Sequence, residues 1–402
     1  MEASDPLLVA ESTGLSITVG GAPCVASEVG RLRSVLLHRP GDELRAIEPA
    51  NAARMLFAGP VDVEAAQAEH DALASTLRAR GVDVLYVETL LTEIAGDQQG
   101  RGGLLELALP HAPASLRRRL GLLASGEVVR ALIGGLYAGE LALSTPTGGR
   151  GRLLGALPNL MFVRDPSAWI GRGAVVGAMA TDVRAREADL VEALYRLHPR
   201  FAGAPAWTDT LPVPTRVEGG DVMVVSEGRV VVGISPRTSV SGAHRLATAL
   251  LFSGVATEVL TVTLPRGAAF HLDLVAAMVD HETFAVWAPV RQALRGHRWR
   301  ATSSGVAVCA VPDPLSWLSA STRVIEIGSR TGERHGRAWD HGVNVLALAP
   351  GVVLAYEDNA RANAQLAAAG IEVIPVTGAA LARGRGGPRC LSCPLVRDEV
   401  SP

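Results

Sequence analysis

The sequence predicts an α/β fold on three observations. A strand, a helix and a second strand follow one another near the start, a helix-rich stretch interrupts this pattern, and short apolar strands then recur in pairs across tight turns. In "RLRSVLLHRPGDEL" the apolar run is a strand ended by Pro40-Gly41. In "DVEAAQAEHDALASTLRARGVDVLYVE" a helix closes at Gly81 and a strand follows. From about Thr89 to Arg150 the chain turns rich in Leu, Ala and Arg, with helical spacing and few β-branched runs, and it ends in the Pro and Gly cluster "STPTGGRGRL". The expected organisation is therefore a first unit with its N-terminal segment over 1–88, an inserted helical domain over 89–150, and the remaining units over 151–402.

Beyond residue 151 each unit shows a polar entry, an apolar strand, a turn and a second apolar strand. "DPSAWIGRGAVVGAM", "GGDVMVVSEGRVVVGIS", "LDLVAAMVDHETFAVWA" and "NVLALAPGVVLAYEDN" all fit, with turn residues at Gly171-Arg172-Gly173, Ser226-Glu227-Gly228 and Pro350-Gly351. With the opening segment this makes about five similar units, joined by helices such as "DVRAREADLVEALYRL". The pattern alone leaves radial repetition about an axis and an ordinary mixed sheet both open.

Composition narrows the chemistry. A chain of 402 residues, 48% hydrophobic, can bury a sizeable core, and its net charge of −2 lacks the basic footprint that nucleic acid demands. The start "MEASDPLLVAESTG" carries acids where a secretory signal carries cations, and no apolar run reaches the roughly 18 residues of a membrane span. A cytoplasmic protein without nucleic-acid or membrane partners is expected. All 38 basic residues are arginine. Without lysine there is no Schiff base and no Walker-type phosphate loop, so proton transfer falls to His, Asp, Glu, Cys and Tyr. Four cysteines, two of them the isolated Cys24 and Cys309, make no disulfide framework.

The polar entries fall at matched places in successive units: Asn159 and Asp165 in "PNLMFVRDP", Glu218 and Asp221 in "VEGGD", His271 and Asp273 in "FHLDL". In strand geometry His271 and Asp273 share a face, whereas only one of Glu218 and Asp221 can join them, and Glu218 is the choice because the glycines after it allow close approach. Each piece has a bland alternative, since His-x-Asp is often a surface pair, "EGGD" a turn and "RDP" a loop. Near the C-terminus, Cys390 and Cys393 in "GRGRGGPRCLSCPLVRD" invite three readings. Zinc would need two more ligands at suitable spacing, and a thioredoxin-like pair would open a helix rather than precede Pro394. A nucleophilic cysteine, its thiolate favoured by a nearby arginine or a cationic substrate, is the reading that survives.

Together, "LRSVLLHRPGDEL", "PNLMFVRDP", "RAREADL", "VEGGDVMV", "FHLDLVAAMVD", "NVLALAPG" and "RGGPRCLSCPLVRD" resemble, in order and nearly end to end, the arginine deiminase family of the guanidino-group modifying (pentein) superfamily. The resemblance implies a five-fold pseudosymmetric α/β propeller with an inserted helical domain. It implies that Cys390 is the nucleophile, His271 the general acid/base supported by Glu218, and Asp165 and Asp273 the carboxylates that take the guanidinium. It further implies that Asn159, Arg184 and Arg237 hold the substrate carboxylate, that Phe162 contacts substrate and that Arg385 gates the site, while Cys393 maps to a position that need not be cysteine. Leu274 and Val163 stand where the family commonly has threonine, and neither change removes a chemical role. The implied reaction is hydrolysis of free L-arginine to citrulline and ammonia through an amidino-cysteine, with no metal and no cofactor, in a cytoplasmic homo-oligomer. An amidinotransferase, a methylarginine hydrolase and a non-catalytic arginine-binding protein are the alternatives.

Overall fold

The computed structural model describes residues 22–137, 139, 152–208, 215–267, 269–317, 322–328 and 342–400. Most of the Pro/Gly boundary at 144–153 and the N-terminal 21 residues lie outside this set. Among the described residues no helix is long and apolar enough to cross a membrane.

One strand scheme recurs five times in a mixed α/β architecture. Leu32–Leu37 pairs antiparallel with the closing strand Cys393–Arg397 and parallel with Asp83–Tyr86, which it reaches through the helix Val63–Ala79. Ser167–Ile170 and Gly173–Val176 form the next hairpin, and after the helix Ala185–Leu197 the third strand is reduced to a parallel bridge between Ala174 and Ala206. Val222–Ser226 and Gly228–Ile234 form a hairpin with a parallel partner in Ala256–Thr263, across the helix Val240–Phe252. Ala276–Asp280 and Thr283–Trp287 are followed by parallel Arg323–Ile327, and Leu346–Ala349 and Val352–Tyr356 by the helix Ala360–Ala368 and parallel Glu372–Val376. An antiparallel crossing needs only a tight turn while a parallel one needs a crossover, so each unit's turn residues and helix follow from its pairing. The hairpin Arg295–Thr302/Gly305–Val311 extends the third sheet to five strands.

The stretch expected to be helical contains the helices Val87–Ile94, Gln98–Ala108, Ala114–Leu120 and Ser125–Gly134. Their apolar faces share one core with Trp169 and with Leu190, Val191 and Leu194 of the Ala185–Leu197 helix. Gly103 lets the two helices touch, since a Cβ there would sit 3.3 Å from Leu197 Cδ2. Arg186 donates to the Leu132 and Gly155 carbonyls, so the "RAREADL" motif also ties down the end of the last of these helices.

The units do not begin with strands at the residues that matter. Pro158–Met161, Gly219–Asp221 and Leu272–Leu274 are short 3-10 turns, closed for example by the Leu274 amide on the His271 carbonyl and the Asp221 amide on the Glu218 carbonyl. The expectation that His271 and Asp273 share a strand face is therefore corrected. The turn, with its threefold repeat, sets their directions instead.

Candidate active site

Five successive entries converge on one small cavity. Cys390 arrives on a loop after the 3-10 helix Leu381–Gly384, with Arg385 in the left-handed region at φ 70°. The glycines of "GRGRGGPRC" are there because the backbone runs against its neighbours. A Cβ on Gly386 would lie 2.4 Å from the Phe162 ring, and one on Gly387 would lie 2.5 Å from the Asn344 carbonyl. The Cys390 sulfur is buried, accepts from Asn344 Nδ2 at 3.1 Å and faces Asp273 Oδ2 at 3.6 Å. Burial, then Asp273 and Asp165, push its pKa well above the ordinary thiol value against the pull of Arg389.

Two buried carboxylates flank the sulfur in the same way. Asp165 holds Arg184 through Oδ2, and Asp273 holds Arg389 through Oδ2 at 2.7 Å. The remaining oxygen of each, Oδ1, is buried without a hydrogen-bond partner. Two such oxygens are costly unless a ligand supplies donors. Burial, opposed by Arg389, raises the Asp273 pKa.

His271 is fully buried behind them. Its Nε2 meets Glu218 Oε2 at 2.7 Å and its Nδ1, 3.6 Å from Asp165 Oδ1, has no hydrogen-bond partner. Burial alone would lower its pKa, but Asp165 and Glu218 outweigh this and raise it to about 9. Glu218 moves the other way: burial is outweighed by His271 and by Arg237, and the pKa falls to about 2. Arg237 bonds Glu218 at 3.0 Å and the Ala180 amide donates to its other oxygen at 2.8 Å. His271 Nδ1, which lacks a hydrogen-bond partner, is the ring nitrogen left to exchange a proton with a ligand.

The cavity is about 40 Å³ and is lined by Asn159, Phe162, Asp165, Arg184, Arg237, Arg385 and Cys390, among others. Ten residues were expected at the site, and the structure brings all ten together, with Glu218, His271 and Asp273 just behind the lining. Arg184 is fully engaged, with Asp165, Glu187 and the Asn159 and Phe162 carbonyls as partners. Arg237 lies over Phe270, 5.1 Å from the ring centroid. Arg385 reaches the Phe57 carbonyl at 3.4 Å, and Asn159 donates to the Met55 carbonyl at 2.9 Å.

Several neighbours escaped the sequence reading. Asn344 touches the sulfur, and its signal was its place heading "NVLALAPG", the entry of a unit left without a candidate. Glu28 holds Arg389 from the N-terminal side at 3.3 Å and left no local trace in the sequence, while Glu187, which holds Arg184, stands three residues after it in "RAREADL". Asp221 turns away from the cavity to Ser235 and the Leu272 amide, as the choice of Glu218 requires. Cys393 is buried in the closing strand beside Ser167 and Tyr195. Asp165, Glu218 and His271 bring ligand atoms within 4.8 Å of one another, the spacing of a metal site. Arg184 and Arg237 already neutralise those carboxylates, so a cation there competes with two guanidinium groups.

A model of the arginine deiminase family matches residues 53–107 and 143–397. Arginine deiminase of Rhodococcus jostii strain RHA1 is 40% identical over 404 residues, covering 95% of this chain and 99% of its own. That of Mycobacterium avium strain 104 is 41% identical over 396 residues, covering 93% and 98%. Among solved structures, a dimethylarginine dimethylaminohydrolase mutant from Pseudomonas aeruginosa in complex with citrulline superposes with a TM-score of 0.53 at 16% identity, covering 90% of this chain and 99% of that one. An amidinotransferase of saxitoxin biosynthesis from Microseira wollei reaches 0.54 at 16% identity, covering 94% and 98%. These two show a shared fold. The end-to-end sequence match goes further, and by it the chain belongs to the arginine deiminase family.

Proposed function

We propose that the chain hydrolyses free L-arginine to L-citrulline and ammonia through a covalent amidino-cysteine on Cys390. One observation carries this: Asp165 and Asp273, each pinned by an arginine, leave one buried carboxylate oxygen apiece without a hydrogen bond beside the thiol. A planar guanidinium offers paired N–H donors that meet both oxygens and presents its carbon to the sulfur. The same cation offsets the two negative charges that raise the thiol pKa, so substrate binding itself favours the thiolate.

The thiolate then adds to the guanidinium carbon. His271 gives its proton to the departing nitrogen, the C–N bond breaks, ammonia leaves, and a C–S bond remains. Now neutral, His271 takes a proton from water; the hydroxide adds to the same carbon, the C–S bond breaks, and citrulline and the thiolate form. Glu218 holds the imidazole throughout. No step calls on a metal or cofactor.

The α-carboxylate is held by Asn159, Arg184 and Arg237, with Phe162 against the substrate's chain. Arg184 has to exchange part of its present network for it. A cavity of about 40 Å³ holds only a few water molecules, each needing roughly 10 to 15 Å³, and is too small for an amino acid with a guanidinium side chain. The Gly384–Gly386 loop with Arg385 therefore opens for substrate. The five strand units stand as blades about a pseudo-five-fold axis through the site, with 89–150 as an inserted helical domain, in a cytoplasmic homo-oligomer. Purified protein given L-arginine and no cofactor should produce citrulline and ammonia in equal amounts, chelators should leave the rate unchanged, and agmatine, which lacks the carboxylate, should react far more slowly. Comparable rates for agmatine would sink the carboxylate clamp, and a product transferred to an added amine in place of water would sink the hydrolase.

A further inference from the structure

A buried thiol between two carboxylates is a poor nucleophile until something fixes its sulfur and favours its anion. We propose that Asn344 is the positioning residue for Cys390: one carboxamide clamps the loop that carries the cysteine and donates the hydrogen bond that steadies its thiolate. This rests on Cys390 being the nucleophile.

The Asn344 network uses both ends of the side chain. Oδ1 accepts from the Gly387 and Cys390 amides, both at 3.1 Å, and Nδ2 donates to the Cys390 sulfur and to the Asp273 carbonyl, both at 3.1 Å. Two lone pairs and two N–H groups are all engaged, and flipping the amide would aim N–H at two N–H donors, so the orientation is forced. The sulfur is thereby tied to the turn that carries Asp273. Gly387 exists for this contact, since a Cβ there would lie 2.8 Å from Asn344 Oδ1. Asn344 is not among the residues that line the cavity, so it works from behind the sulfur.

The charged and titratable groups facing this sulfur divide. Asp273 and Asp165 oppose the thiolate, Arg389 favours it but is shared with Glu28 and Asp273, and the Tyr356 phenol remains neutral. Among the described residues Asn344 is the side chain that donates an N–H to the sulfur.

The test reads the thiol directly. Cys390 is alkylated with iodoacetamide across pH without arginine and the label is located by mass spectrometry; access scales the rate at every pH, whereas thiolate affinity moves the midpoint. Asn344→Asp keeps the acceptor for the two amides and removes the donor, while Asn344→Ala removes the donor without adding charge. Both should move the midpoint up by about one to two pH units, the loss of one hydrogen bond to a charged sulfur. In both, kcat for arginine should fall at least ten-fold with KM held within about three-fold. An unmoved midpoint in either folded variant overturns the proposal, as does a loss confined to KM. If the unaltered protein makes no citrulline yet the midpoints move, the proposed reaction fails and the role of Asn344 in holding the thiolate stands.

Discussion

Cys390 and Cys393 stand three residues apart, and the fold gives them opposite surroundings. Cys390 faces two carboxylates and an amide donor, while Cys393 is packed beside Ser167 and Tyr195 in the closing strand. Cys390→Ser should abolish citrulline formation, because an alcohol cannot replace a thiolate. Cys393→Ser should retain most activity, since the Ser167 and Tyr195 hydroxyls offer its own hydroxyl partners, at a stability cost of about 1 kcal/mol. His271→Ala should also abolish turnover, and it leaves a mark on stability. The folded imidazole has its pKa raised from 6.5 to about 9, so its contribution is fully present below pH 6.5 and is lost as pH rises through about 9. The unaltered protein should thus lose on the order of 3 kcal/mol more across that window than the variant. Parallel slopes in urea unfolding between pH 6.5 and 9 would place the charge elsewhere. Residue identities at the site were legible because chemistry demands them: thiol, imidazole and carboxylates cannot be exchanged freely. Their partners were not, because any buried acid could serve Arg389, and only the fold says it is Glu28.

At the scale of elements the strands, turns and crossover helices followed from apolar alternation and Gly or Pro punctuation. The hairpin at Ser167–Ile170 and Gly173–Val176 and the helix Ala185–Leu197 lie where the pattern puts them. The 3-10 turns did not follow, since three residues carry no periodicity. Their glycines carry the geometry instead. Gly220 lies against the imidazole, and a Cβ there would be 2.6 Å from His271 Nδ1, closer than real contacts allow. Gly220→Ala should push the ring off the Asp165 side and lower kcat at least ten-fold with the helical content unchanged by circular dichroism. A variant with unaltered kcat would show that His271 tolerates displacement and that the turn is only a connector.

On the scale of the whole molecule the first and last of the described strands close on each other. Cys393–Arg397 pairs with Leu32–Leu37, and Glu28 reaches Arg389 beside Cys390. Burial would raise the Glu28 pKa, but Arg389, Arg164 and Arg397 bring it down to about 2. Its contribution is therefore present above pH 4.5 and lost as pH falls toward 2. Glu28→Ala leaves a buried arginine less compensated and should cost about 3 kcal/mol or more in denaturant unfolding, with kcat lowered because Asp273 loses its anchored partner. Stability within about 0.5 kcal/mol of the unaltered protein would mean that Asp273 alone balances Arg389. Five units and the segments that flank them thus bring their groups to one sulfur, and the account stands on what forms there. Acid quenching during turnover of L-arginine, followed by digestion and fragmentation, reads it most directly. An adduct on Cys390 with the mass of arginine less ammonia is the result predicted; citrulline formed with no adduct at any quench time, or an adduct on Cys393, would contradict it.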